Sequence, residues 1–300
     1  MKKKTYLFAL MAMVLTLGSC SDNENGIGGE TSKFITVSTS IGNMTRVATD
    51  EKGGQTFEEG DEISVYAWTG APTVAPETSE RVVNNAINKL TNGSWISTPQ
   101  MLWKNNREKH YFIGVYPTAA ISDLSAGEYT FDANKQTESD LLVAVNPDGL
   151  SYSADAQQTV PLTFTHVMAK LAVNLTYKNQ WGGIPTVEKV VVGNAAKEAT
   201  INYLTKVVTP STTAKEDFSL PEITENTKYV SVIIPQEEVT QLTIVIGGKN
   251  FVYDNGTPFK LESGKITTVN LEVGRDEIKL GDVKITDWED GSTFSGEALN

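Results

Sequence analysis

The sequence is poor in the residue types that most often carry chemistry. Its 300 residues hold one cysteine, Cys20, and two histidines, His110 and His166. A single thiol excludes any disulfide within the chain, so its folded parts must be held by packing. With so few histidines there is no His-Glu-x-x-His pair, and neither a phosphate-loop pattern nor a Gly-x-Ser-x-Gly elbow occurs. Both histidines sit in strand-like surroundings and read as structural. The acidic run Asp287-Trp288-Glu289-Asp290-Gly291 lacks the ligand spacing of a calcium loop and reads as a turn anchored by a packed tryptophan. No catalytic residue, metal site or cofactor is expected, and the chain is not read as an enzyme. Basic charge is also scarce, since 25 Lys and Arg against 37 Asp and Glu give a formal net charge of -12. An acidic surface argues against nucleic acid or anionic lipid head groups as partners. Helical stripes are missing too: from Phe34 onward no long stretch keeps an apolar face at the helical period.

What is present begins at the N-terminus. Lys2, Lys3 and Lys4 precede an apolar run, Leu7 to Leu15, that closes on Leu17-Gly18-Ser19-Cys20. Residues 1–20 are thus read as an export signal, too short to persist as a spanning helix. Its end resembles a bacterial lipobox, which makes Cys20 the acylated first residue of the mature protein. Several acyl chains, at roughly 0.8 kcal/mol per buried methylene, hold a protein on a membrane that a single chain would only visit. The plainer alternative is an ordinary secretory signal with an incidental cysteine. Residues 21–32 are small, polar and acidic, and read as a flexible tether.

Beyond the tether the dominant pattern is alternation at period two in short runs separated by turn residues. Ile35, Val37, Thr39 and Ile41 point one way and Thr36, Ser38 and Ser40 the other, which predicts a half-buried first strand. Ile63, Val65 and Ala67 repeat the pattern, as do Leu171, Val173, Leu175 and Tyr177, and later Val230, Val232 and Ile234. Asn92-Gly93 and Gly247-Gly248 sit between strand-like flanks, where two positive φ angles suit a tight hairpin. Many short strands without helical crossovers predict an all-β chain of two antiparallel β-sandwiches, the N-terminal one over 33–165 and the C-terminal one over 166–300.

Several segments in order resemble the fimbrillin family of Bacteroidetes, the Mfa-like or FimA-like fimbrial subunit lipoproteins. They are the lipobox, Phe57-Glu58-Glu59-Gly60-Asp61-Glu62-Ile63-Ser64-Val65-Tyr66, Tyr111 through Tyr116-Pro117, and Asp140-Leu141-Leu142. The series continues through Phe164-Thr165-His166-Val167-Met168-Ala169-Lys170-Leu171, Ile234-Pro235-Gln236, Gly264-Lys265-Ile266-Thr267-Thr268-Val269 and Ile285-Thr286-Asp287-Trp288. The resemblance implies two transthyretin-like sandwiches, export as an outer-membrane lipoprotein, and proteolytic removal of the first strand before donor-strand exchange with other fimbrial subunits. The acidic stretch after Cys20 also resembles the surface-export signals of such lipoproteins, which points to the cell surface or a fimbrium.

Carried onto this sequence, the displaced strand is Phe34 to Ile41, with Phe34, Ile35, Val37, Thr39 and Ile41 named. A maturing protease would cut between Arg46 and Val47, although Arg46 reads equally as a solvated loop arginine. The candidate donor is the run Asp276 to Trp288, in which Ile278 and Leu280 alternate, Gly281-Asp282 allow a bend, and Val283 and Ile285 alternate again. The same run reads as an ordinary last strand of the second sandwich. The implied role is a fimbrial subunit that supports adhesion to a host or bacterial surface receptor.

A rival reading is a monomeric outer-membrane lipoprotein that binds glycans through aromatic platforms drawn from Trp68, Trp95, Trp103, Trp181 and Trp288. Two or more tryptophans exposed on one face favour that rival, whereas buried tryptophans and a separable first strand favour the subunit.

Overall fold

The computed structural model describes residues 33–42, 56–153 and 158–288. Eight strands come from the first half: β1 Thr36–Ile41, β2 Glu62–Thr69, β3 Val83–Thr91, β4 Ser94–Thr98, β5 His110–Tyr116, β6 Gly127–Thr130, β7 Leu142–Leu150 and β8 Thr159–His166. Seven of them form one sheet in the order β1-β8-β7-β5-β2-β3-β4. That sheet curls until its two outer strands approach each other. The seam is stitched where the Ile35 N–H donates to the Met101 carbonyl at 3.0 Å and the Trp103 N–H to the Lys33 carbonyl at 3.1 Å. Inside the curl, Ile35, Val37, Ile63, Val65, Phe112, Val160, Leu162 and Phe164 make one apolar core.

Eleven strands follow: β9 Ala169–Tyr177, β10 Lys189–Ala196, β11 Glu198–Asn202, β12 Val207–Pro210, β13 Lys215–Ser219, β14 Glu222–Thr224, β15 Lys228–Ile233, β16 Gln236–Ile246, β17 Lys249–Leu261, β18 Lys265–Val273 and β19 Ile278–Asp287. A four-stranded sheet, β13-β10-β16-β17, packs on a five-stranded one, β14-β15-β9-β18-β19. Leu171, Val173, Leu175, Val230, Val232, Leu242 and Ile244 are all buried in this second core, as their alternation predicted. Among the described residues no helix is long and apolar enough to cross a membrane.

Both expected hairpins are present. Asn92 and Gly93 have φ of 51° and 72° between β3 and β4, and Gly247 and Gly248 have 57° and 73° between β16 and β17. Two consecutive left-handed residues give the twist that joins neighbouring strands directly.

Two ladders depart from the antiparallel expectation. β1 runs parallel to β8, and β9 runs parallel to β18. In each half the opening strand lies beside one of the last strands, and the chain returns through other strands rather than through a helix.

Strand β2 also departs from its reading as half-buried. Ser64, Tyr66 and Trp68 are as buried as Ile63, Val65 and Ala67, because the outer face of the sheet is covered. The segment 117–126 lies across it: Ser64 Oγ accepts from the Ala119 N–H at 3.0 Å, and Tyr66 Oη accepts from the Ile121 N–H at 2.9 Å. Strand β6 then leaves its own half and pairs with β11 in a separate sheet ordered β12-β11-β6. Through Ile121, Leu124 and Phe131 the outer face of the first sheet, with Trp68, Ile113 and Val143, joins the C-terminal core.

Candidate functional site

The predicted first strand is an edge strand paired along its length with β8 and stitched across the seam only at its start. Thr36–Ile41 pair with Thr159–Phe164 of β8, and the Gly42 N–H closes the ladder on the Phe164 carbonyl at 2.8 Å. Hydroxyls reinforce it, with Thr36 Oγ1 3.2 Å from Thr159 Oγ1 and Ser40 Oγ donating to Thr163 Oγ1 at 3.2 Å.

The grip on β1 is uneven. Ile35, just ahead of β1, is 1% exposed and Val37 is buried with it, whereas Thr39 and Ile41 are only half-buried. Each fully buried aliphatic side chain contributes roughly 1.5–3 kcal/mol, so most of the hold lies at the strand's start. Phe34 precedes the strand and points outward, 49% exposed, bridged to Leu102.

A cleft of about 640 Å³ separates β1 from β4, and Phe57, Leu90 and Trp95 contribute to its walls. Trp95 Nε1 spans it to donate to Thr39 Oγ1 at 3.0 Å. Phe57 sits edge-on against Trp95, Tyr116 and Phe164, with ring centroids 5.1 to 5.3 Å away. Sequence reasoning missed this pin. Its only signal was Thr39, the one polar residue among the four inward positions. Arg46, Val47 and Cys20 lie outside the described residues, as does the tether 21–32.

The candidate donor is β19, the outer strand of the five-stranded sheet. Its partners on β18 are Val273 for Ile278, Leu271 for Leu280, Val269 for Val283 and Thr267 for Ile285. The register shifts between Val269 and Leu271, so that Gly281 and Asp282 together oppose Asn270. This bulge is the bend expected there, and it keeps all four apolar residues in one phase. Asn270 Nδ2 donates to Asp282 Oδ1 at 2.6 Å. Ile278 and Leu280 pack on the core while Val283 and Ile285 remain 38% and 37% exposed. Among the described residues the outer edge of β19 pairs with no other strand, and apolar side chains on such an edge are the ingredients of strand addition.

β19 ends in a compact junction. Trp288 is buried, its N–H donates to the Gly264 carbonyl at 2.9 Å, and its ring lies flat on His166 with centroids 3.9 Å apart and planes at 7°. Lys170 Nζ sits 4.0 Å from the centroid of the same ring. Aromatic stacking and a cation over a ring contribute about 0.5–1.5 kcal/mol each. His166 Nδ1 lies 2.8 Å from Asp140 Oδ1.

His110 is wholly buried; its Nε2 accepts the Lys104 N–H at 3.1 Å, and Nδ1 faces the Glu108 carbonyl at 3.2 Å. Burial pushes its pKa below the usual histidine value, with the Glu108 contacts opposing. Because Nε2 accepts a backbone N–H, the ring carries its proton on Nδ1, a structural arrangement.

The tryptophans form no platform. Trp68, Trp103 and Trp288 are buried, and Trp95 and Trp181 are half-buried, each with its indole N–H bonded to the protein. Among the described residues no three His, Cys, Asp or Glu side chains are placed to share a metal ion.

The sequence profile of a family described as fimbrillin-like matches residues 45–288, a span that starts beyond β1 and ends on Trp288. The chain belongs to the fimbrillin-like family. No curated protein sequence matches it. Among solved structures, a "putative cell adhesion protein" from Bacteroides uniformis aligns at a TM-score of 0.63 with 18% identity, covering 86% of this chain and 100% of that one. A protein of the same description from Bacteroides ovatus gives 0.62 and 18%, covering 86% and 98%. The tip fimbrial protein Mfa3 from Porphyromonas gingivalis, truncated at its C-terminus, gives 0.50 and 12%, covering 77% and 95%. At these identities the likeness is one of fold. In this fimbrillin-like chain β1 is an outer strand in the first half and β19 an outer strand in the second.

Proposed function

We propose that this chain is a fimbrial subunit, carried to the bacterial surface on a lipid at Cys20 and assembled with copies or relatives by strand exchange once proteolysis has freed it from that anchor. In this reading it has two structural units divided near Thr165. A protease cuts between Arg46 and Val47, and the strand Phe34 to Ile41 leaves. β8 then becomes an open edge whose inward residues Val160, Leu162 and Phe164 face a vacated groove. β19 of a neighbouring subunit enters it, with Ile278, Leu280, Val283 and Ile285 taking the places of Ile35, Val37, Thr39 and Ile41. The product supports adhesion and catalyses no reaction.

The observation that carries this reading is the uneven hold on β1. It is an outer strand whose one continuous ladder is to β8, anchored at its start by Ile35, Val37 and the short seam to Met101–Trp103, and loosely covered over Thr39 and Ile41. Such a strand is removable without dismantling the sheet behind it, and its removal leaves unpaired backbone groups that invite a replacement.

The test is limited trypsin digestion of the chain lacking residues 1–20, followed by mass spectrometry and size analysis over days. A cut after Arg46 followed by ladders of high molecular weight, both absent in Arg46→Ala, is the expected result. Cutting there without assembly, or equal assembly of the Arg46→Ala variant, overturns the proposal.

A further inference from the structure

The packed tryptophan at the end of β19 has no part in the exchange just described, yet it ties β19 to the strand against which β1 lies. Trp288 lies flat on His166, the last residue of β8. β8 is the strand that carries β1. The β1 ladder ends at Ile41 opposite Phe164, and the Gly42 N–H bonds to the Phe164 carbonyl, two residues before His166. On its other side His166 pairs with Leu142 of β7.

The rest of the junction makes a tight socket. Gly264 donates to the Met168 carbonyl at 2.8 Å and accepts from Trp288, and Ser263 Oγ donates to the Val167 carbonyl at 2.9 Å. Gly264 has φ of 68°, and a Cβ there would lie 3.1 Å from the His166 carbonyl oxygen, so the approach requires glycine. The end of β19, the turn before β18 and the link from β8 to β9 therefore converge on one ring.

We propose that Trp288 is the latch that keeps β19 on its own sheet, and that the latch is seated by β1 through the end of β8. This rests on the reading of β19 as the exchanged strand, and it assigns the residue that governs when that strand leaves. Beyond Leu280 little else covers β19: its second half, Val283 to Asp287, is exposed, and the bulge at Gly281 and Asp282 interrupts its ladder. With β1 in place, β8 is flanked by β1 and β7 and His166 presents a fixed surface to the indole. With β1 gone, the last turn of that ladder has one neighbour, and the surface under Trp288 loosens. Donor release thereby follows acceptor opening within the same subunit.

The test is hydrogen exchange in the uncut chain lacking residues 1–20, read on β19 and on β15 as an internal reference in the same sheet, for the parent, Val37→Ala, Trp288→Ala and the double variant. The expected result is that Trp288→Ala speeds exchange of β19 about tenfold and leaves β15 unchanged, a local opening. Val37→Ala, which loosens β1, speeds β19 exchange in the parent background and adds nothing in Trp288→Ala, the non-additivity that marks coupling. Unchanged β19 exchange in Trp288→Ala, an equal rise in β15, or effects that simply multiply overturn the latch. If Trp288→Ala does not fold, His166→Leu removes the stacking surface from the other side and is read in the same way. None of these measurements requires assembly, so a parent that is cut and fails to polymerise refutes the fimbrial reading separately.

Discussion

Gly114 and Phe164 are fitted to one another across the inside of the curled sheet: a Cβ on Gly114 would lie 2.6 Å from Cζ of Phe164. Phe164 closes the β1 ladder and also carries Phe57 on its ring. Gly114→Ala is therefore expected to push that ring from its place and cost about 1–3 kcal/mol, an overpacking penalty. Urea unfolding checks the loss, and adding Phe164→Leu should recover part of it by making room.

Neutral His110 ties stability to pH. The unfolded chain takes up a proton near the ordinary value of 6.5, whereas burial lowers the folded value. Below about pH 6.5 the unfolded state then binds more protons, so stability falls as pH drops through 6.5 toward the folded pKa and is level above. Unfolding midpoints at pH 7.5 and 5.0 should differ less in His110→Gln than in the parent.

Ile285 separates folding from assembly. It is 37% exposed at the sheet edge, so Ile285→Asp should cost less than about 1 kcal/mol in the monomer. Placed in a neighbour's apolar groove, the same carboxylate would be buried without a partner. Near-parental thermal unfolding together with loss of the ladders after trypsin treatment is the expected pair of results.

Arg81 holds the segment that covers β2. Its Nη1 donates to the Ile121 carbonyl at 2.6 Å and to Asn84 Oδ1 at 2.9 Å, its Nη2 donates to the Ser122 carbonyl at 2.6 Å, and the guanidinium lies over Tyr66. Arg81→Met leaves those carbonyls unmatched and should cost about 2–4 kcal/mol. Proteolysis within 117–126 should quicken before global unfolding does, which a time course with a nonspecific protease would show.

Local chemistry was legible and long-range placement was not. Asn92-Gly93 and Gly247-Gly248 announced their hairpins because the turn needs nothing beyond those two residues. The phase of Ile35, Val37, Thr39 and Ile41 was equally plain. The parallel pairing of β1 with β8 was hidden, since it depends on where the chain returns more than a hundred residues later. Tyr66 and Trp68 carried a hint, being large apolar residues in the phase opposite to Ile63 and Val65, but the cover over Tyr66 comes from Ala119 and Ile121, more than fifty residues on. Trp288 was recognisable as a packed residue, whereas its partner His166 lies on another strand. Arg46, Val47 and Cys20 fall outside the described residues, so what was read of them stands on the sequence alone.

The core that runs from Trp68, Ile113 and Val143 through Leu124 and Phe131 into Val192 and Leu242 has a mechanical consequence. Because β6 from the first half is sewn into a sheet with β11 and β12, the two halves share apolar material and hydrogen bonds, with no bare hinge between them. Tension along a row of such bodies would find little give inside each one. In the fimbria proposed above, strain would collect at the joints, where a single exchanged strand would span two bodies, and the stiffness of the whole would be that of its seams.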